Sequence, residues 1–150
     1  MTGKESIVPI GSDHAGFELK EYLVWKLKDL GFAIIDHGTL VNESVDYPDH
    51  IHPVARSIEK DEYPKGIIIC GSGQGANMTA NKYPHVRSAL CWSVEQAQLS
   101  RQHNDANIIA LPGRFIEKEE ALEAVKVFFE TAFEGGRHER RVEKISKTLD

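Results

Sequence analysis

The chain has 150 residues, 41% hydrophobic and 27% charged, which suits one globular domain over residues 1–150 and excludes a disordered or fibrous chain. A formal net charge of −5 provides no positive field for a polyanion, so no nucleic-acid partner is expected, and a small anion would need only a local cluster of cations. No apolar run approaches the length of a bilayer span, and Met1-Thr2-Gly3-Lys4-Glu5-Ser6 lacks the apolar stretch of a secretory signal, so a cytoplasmic protein without membrane contact is expected.

Five short apolar runs alternate with longer helical patterns. Ile7-Val8-Pro9-Ile10 reads as a first strand, although Pro9 lacks a ladder donor. Leu19, Leu23, Leu27 and Leu30 then recur at helical spacing up to Gly31, a residue suited to the left-handed conformation that ends a helix. Ala33-Ile34-Ile35 gives a second strand, followed by a helix from Asp49 to Lys60 with Ile51, Val54, Ala55 and Ile58 as its buried stripe. Gly66-Ile67-Ile68-Ile69-Cys70 leads into a short helix over Gly75 to Asn81, and Ser88-Ala89-Leu90-Cys91 into one over Val94 to His103. After a fifth strand, Asn107 to Leu111, helices are expected over Glu117 to Phe133 and over His138 to Leu149, the last with Val142, Ile145 and Leu149 as its apolar stripe.

Near-continuous β-branched runs suit strands buried on both faces. The alternating order therefore predicts an α/β, doubly wound, five-stranded parallel sheet with helices on both faces and a C-terminal helix. Such sheets bind ligands beyond the carboxyl ends of their strands. That rule directs attention to Ser12-Asp13-His14, His37-Gly38-Thr39, the loop after Cys70, Trp92-Ser93 and Pro112-Gly113-Arg114. Cys70 and Cys91 each end an apolar run; in a reducing compartment no bridge is expected, and buried packing is the reading preferred for Cys91.

Gly71, Gly73 and Gly75 let the backbone turn sharply after Cys70 and present several N–H groups at a helix start, a place for negative charge. A tight turn with no ligand would use the same residues. The loop formally satisfies a relaxed dinucleotide fingerprint, but it follows the third strand and no acidic residue ends the next strand to hold a ribose. A triphosphate loop needs Gly-Lys-Ser or Gly-Lys-Thr where Gly75-Ala76-Asn77 stands, and a cysteine phosphatase needs an arginine where Ala76 stands. What is left is a cysteine at a strand end beside N–H groups able to stabilise an oxyanion, which suits proton abstraction next to a carbonyl. A free thiol ionises near pH 8.5, so such a base requires a helix start or a cation beside it.

Of seven histidines, His14 and His103 stand near strand ends or polar loops facing the expected site; the rest, His50 and His52 included, read as solvated, and no zinc-type spacing is present. No metal and no cofactor are expected. On chain position alone a capping or solvated residue is the favoured reading of His103. Arg137 and Arg141 sit four apart on one helical face and would close on a phosphate, or form an ordinary basic face.

Six segments, in order and across nearly the whole chain, together resemble the ribose-5-phosphate isomerase B family, which it shares with galactose-6-phosphate isomerase subunits. They are Gly11-Ser12-Asp13-His14-Ala15-Gly16-Phe17, Asp46-Tyr47-Pro48, Ile69 to Gly75, Ala80-Asn81-Lys82, Ser100 to Asn107, and Glu134-Gly135-Gly136-Arg137-His138. The resemblance implies a cofactor-free aldose–ketose isomerase of the pentose phosphate pathway that interconverts ribose 5-phosphate and ribulose 5-phosphate. It also implies a homodimer or homotetramer whose sites draw residues from two subunits. Cys70 then corresponds to the base, Ser72 to the hydroxyl beside it, and His103 to the group that opens the furanose. The backbone from Gly71 through Ser72, Gly73 and Gln74 to Gly75 would hold the enediolate. Asp13 and Asn104 would contact sugar hydroxyls, Tyr47 would line the substrate site, and His14, Arg114, Arg137 and Arg141 would hold phosphate.

Ala76 stands where one branch of the family carries a glutamate base, so Cys70 places this chain in the cysteine branch. Two positions depart from the pattern. Trp92-Ser93-Val94-Glu95 replaces smaller or more polar residues and bears on substrate choice, and Pro9 bears on the sheet. A hexose 6-phosphate isomerase, alone or as one of two subunits, and a non-catalytic sugar-phosphate sensor are the competing readings.

Overall fold

The computed structural model describes residues 3–147. Its strands are β1 (Ile7–Ser12), β2 (Ala33–Asp36), β3 (Gly66–Cys70), β4 (Ser88–Leu90) and β5 (Ile108–Pro112), and its helices are α1 (Phe17–Asp29), α2 (Tyr47–Glu59), α3 (Gln74–Ala80), α4 (Val94–Asn104), α5 (Lys118–Glu130) and α6 (Arg137–Ile145). All strand pairs are parallel, in the order β2-β1-β3-β5-β4. No helix among the described residues is long and apolar enough to cross a membrane.

The expected doubly wound sheet is present. Side chains of consecutive strand residues leave on opposite faces, and each face has its own core. On one face Ile67 and Ile69 pack with Val8, Ile10, Ile109 and Leu111 under Leu19, Leu23 and Leu27 of α1, Ala97 of α4 and Phe128 of α5. On the other, Ile68 and Cys70 pack with Ile108 and Ala110 under Ile51, Val54, Ala55 and Ile58 of α2 and Ala76 and Ala80 of α3. This partition follows from right-handed crossovers, because β1 to β2 and β4 to β5 step one way along the sheet and β2 to β3 and β3 to β4 step the other. Each wholly buried isoleucine of β3 contributes about 2–3 kcal/mol of apolar burial.

Pro9 lies inside β1, between β2 and β3, yet it breaks no ladder bond. The Asp13 N–H donates to Ile69 O, and pairing of β1 with β3 begins only at Ile10–Ile67. The same offset aims the Pro9 nitrogen at residue 65, ahead of β3. Proline therefore occupies the one side of an interior strand where no partner has yet arrived.

Three helix expectations need correction. Leu30 is the residue after α1 and is 48% exposed, because Gly31 at φ +99° has already turned the chain away from the sheet. Helix α5 ends at Glu130 rather than Phe133: Thr131 is extended, the buried Arg101 donates from Nε to Thr131 O at 3.0 Å, and Glu134 N–H donates to Gln102 O at 3.1 Å. The stripe assigned to α6 is exposed at Ile145, and its Leu149 lies outside the described residues.

The loop that follows β2 is anchored by an ion pair. Lys20 of α1 is completely buried, with Nζ 2.7 Å from Asp36 Oδ2 and 2.7 Å from Glu21 Oε1, while Asp36 Oδ1 accepts from Gly38 N–H at 2.8 Å. Ser12 and the 38–39 segment then exchange backbone bonds at 2.7 Å, which ties this loop to the carboxyl end of β1. Lys20→Met is expected to cost about 3 kcal/mol, the lower part of the range for a broken buried pair, because the Asp36 side chain keeps 24% of its surface in water. The midpoint of urea unfolding measures it, and an unchanged midpoint would show that the pair is not what anchors the loop.

Candidate active site

The carboxyl ends of β1, β3 and β5 meet where the strand order changes direction, and the residues following each strand are tied to one another. Cys70, 5% exposed, accepts through its carbonyl from Gly113 N–H at 2.9 Å, and Gly71 O accepts from Arg114 N–H at 3.0 Å. These two bonds lay the Arg114 side chain across Gly71, where a β-carbon would come within 3.3 Å of its guanidinium. Gly73 takes φ +76° and heads α3, with no room for a side chain against Leu90. The first-turn N–H groups of α3 have no carbonyl within the helix to bond. The Ser72 hydroxyl accepts from Gln74 N–H at 3.3 Å, and the Gln74 side chain is exposed.

Two other elements complete this end. Tyr47, the first residue of α2, lies directly over Gly75, where a β-carbon would come within 2.5 Å of its ring; the missing side chain is what lets the phenol reach the glycine loop. Asp13 is buried and caps the short turn of residues 14–16, accepting from Gly16 N–H at 3.1 Å. His14 Nδ1 accepts from Val45 N–H at 3.2 Å. That bond uses Nδ1 as the acceptor and leaves Nε2 as the ring's donor. The Ser12 hydroxyl, at the end of β1, is buried with no hydrogen-bond partner among the described residues, a feature nothing in the sequence marked.

The structure thus gathers Asp13, His14, Tyr47, Cys70, Gly71 to Gly75 and Arg114 at one end of the sheet. It does not bring His103, Asn104, Arg137 or Arg141 there within the same chain. Helix α4 runs back from the carboxyl end of β4 to the start of β5, so its last residues, His103 and Asn104, lie at the amino end. Five residues of parallel strand separate the two ends, about 16 Å. Beside His103 lie Glu134 and His138, whose spacing of four on adjoining chain was legible but whose approach to α4 was not.

Cys91 behaves as expected of a packing residue: it is 1% exposed, and burial pushes its thiol up to about 11, against a weaker pull from Ser100. Trp92 lies at the carboxyl end, stacked on Phe115 with centroids 5.2 Å apart, next in sequence to Arg114.

The comparison with known proteins agrees with this geometry. Residues 8–145 match the Ribose/Galactose Isomerase family. The chain belongs to that family. Ribose-5-phosphate isomerase B of Escherichia coli (strain K12) is 41% identical over 139 residues, 93% of each chain. A crystal structure of a ribose 5-phosphate isomerase from Thermotoga maritima superposes on this member of the family with a TM-score of 0.92, 48% identity, and coverage of 95% of this chain and 98% of that one. The ribose-5-phosphate isomerase B of Mycoplasma genitalium, solved with bound ribulose-5-phosphate, gives a TM-score of 0.90 at 40% identity over 93% of each chain. In this ribose/galactose isomerase the candidate site therefore lies on a fold whose relatives are sugar-phosphate isomerases.

Proposed function

We propose that the chain interconverts ribose 5-phosphate and ribulose 5-phosphate, with Cys70 as the base. The observation that carries this reading is the full-length similarity to a relative that binds ribulose 5-phosphate, joined to a cysteine held at the end of β3 beside a glycine loop. In the open-chain aldose the Cys70 thiolate takes the proton from C2, and the electron pair passes to the C1 carbonyl oxygen to give an enediolate. Return of that proton to C1, with the O2 proton passing to O1, leaves the ketose. No electron acceptor is required. The N–H groups of the glycine loop bear on the enediolate oxygens, where one such donor is worth about 3 kcal/mol, and the Ser72 hydroxyl stands beside the base. Asp13 and Tyr47 face the sugar, and His14 and Arg114 bind the phosphate remote from the reacting carbons, which orients the open chain.

His103, Asn104, Arg137 and Arg141 enter this site from a second subunit. The separation of the two ends within one chain supports that arrangement, since no bend of a single sheet would bring them together. A two-fold dimer makes two such sites, and a cytoplasmic location suits the substrate.

Turnover by the purified single chain across pentose and hexose phosphates tests the assignment. Activity on ribose 5-phosphate is expected. Inactivity on every pentose phosphate, with rescue by a second homologous subunit, would instead favour a hexose 6-phosphate enzyme.

A further inference from the structure

The amino end of the molecule holds two side chains beside His103 that the proposed mechanism has not used. His138, in the first turn of α6, lays its ring on that of His103, with centroids 4.3 Å apart and planes 14° from parallel. Glu134 faces both rings: its Oε1 lies 3.9 Å from His103 Nε2 and 3.7 Å from His138 Nε2. Its backbone is fixed on α4 by the bond to Gln102 O, and the segment leading to it is fixed by Arg101. The three side chains differ in exposure, at 12% for His138, 39% for His103 and 49% for Glu134. His138 is the inner ring, and His103 is the one presented outward.

Two stacked imidazoles do not both accept a charge without mutual repulsion. Burial, then the neighbouring His103, Arg137 and Arg141, hold His138 below the usual imidazole range, with Glu134 opposing. The inner ring is the one that resists a proton, and the carboxylate lies against both. Glu134 Oε1 lies beyond hydrogen-bond distance of both ring nitrogens, so the carboxylate acts on the two rings through its charge, while the stack on His138 sets the plane of His103.

We propose that Glu134 and His138 are positioning residues for ring opening, holding the His103 imidazole in the orientation that moves the proton of the anomeric hydroxyl. The inference rests on the isomerase reading above. Opening the furanose breaks the bond between C1 and the ring oxygen. The proton of the anomeric hydroxyl passes to His103 as the C1 carbonyl forms, and a proton returns to the ring oxygen, so none is gained or lost overall. Ribulose 5-phosphate has no such step. Its O5 is phosphorylated, so no hydroxyl is placed to close a five-membered ring on C2, and the sugar stays open. A group that serves ring opening therefore matters for one substrate and not for the other.

The experiment compares two rates in the wild-type protein, Glu134→Gln and His138→Gln: turnover of ribose 5-phosphate, and exchange of solvent hydrogen into C1 of ribulose 5-phosphate, which reports the proton transfer at Cys70 alone. In both variants turnover of ribose 5-phosphate is expected to fall about tenfold or more while exchange stays within about twofold of wild type. Glu134 is half-exposed, so its variant decides the matter if His138→Gln disturbs the packing of α6. Equal losses in both assays for Glu134→Gln, or no loss in either, would overturn the proposal. A wild-type protein that neither isomerises ribose 5-phosphate nor exchanges hydrogen would overturn the isomerase reading instead.

Discussion

Cys70→Ala is expected to lower turnover of ribose 5-phosphate by about 10²–10⁴-fold, the range for loss of a general base, while binding of ribulose 5-phosphate stays within about threefold. The two effects separate because the base and the phosphate ligands are different groups. Cys70 is 5% exposed and sits at the end of β3, and its side chain is small enough that alanine leaves β3, the glycine loop and the bonds from Gly113 and Arg114 in place. On the proposed mechanism His14 and Arg114 continue to hold the ester, while nothing is left to take the proton from C2. Single-turnover rates together with calorimetric titration by ribulose 5-phosphate measure both quantities. Full turnover in Cys70→Ala would remove the cysteine from the mechanism, and a parallel loss of rate and affinity would give it a binding role instead. Cys70→Ser is expected to fail as well, since a hydroxyl is a far weaker acid than a thiol and is not ionised near neutral pH.

Mixing two inactive proteins is expected to restore activity. Cys70→Ala lacks the proposed base, and an Arg137→Ala/Arg141→Ala double variant lacks the proposed phosphate contacts, expected together to be worth about 4 kcal/mol, or roughly 10³-fold in kcat/KM. If each site combines the Cys70 end of one subunit with the Arg137 end of another, a mixed dimer carries both defects in one site and neither in the other. Equal mixing with free exchange makes about half the dimers mixed, each with one intact site of two, so about one quarter of wild-type activity returns. Sites formed within single chains would give no recovery, because every chain then carries its own defect. The separation of about 16 Å along the strands is what makes the shared arrangement the expected outcome.

Much of this was legible from the chain alone. Continuous β-branched runs such as Ile67-Ile68-Ile69 have one stable setting in a domain of this size, a strand covered on both faces, and alternation with helical patterns then requires parallel pairing. The cysteine, its three glycines and the ordered set of distant motifs were local features, and they identified the chemistry without any coordinates. Helix ends were read less well. Ala132 and Phe133 extend the apolar pattern of α5, and what halts the helix is Arg101, thirty residues earlier, which takes the Thr131 carbonyl. No local propensity encodes that competitor.

By itself the sequence determined the family and the fold class and nominated the residues proposed for the chemistry, because strand burial, glycine turns and motif order are properties of neighbouring residues. Tertiary structure decided where those residues stand. The insertion of β5 between β3 and β4 and the return of α4 along the sheet are choices of packing between distant segments. They place Cys70 and His103 at opposite ends of one chain, which is the reason a second subunit is proposed to complete the site.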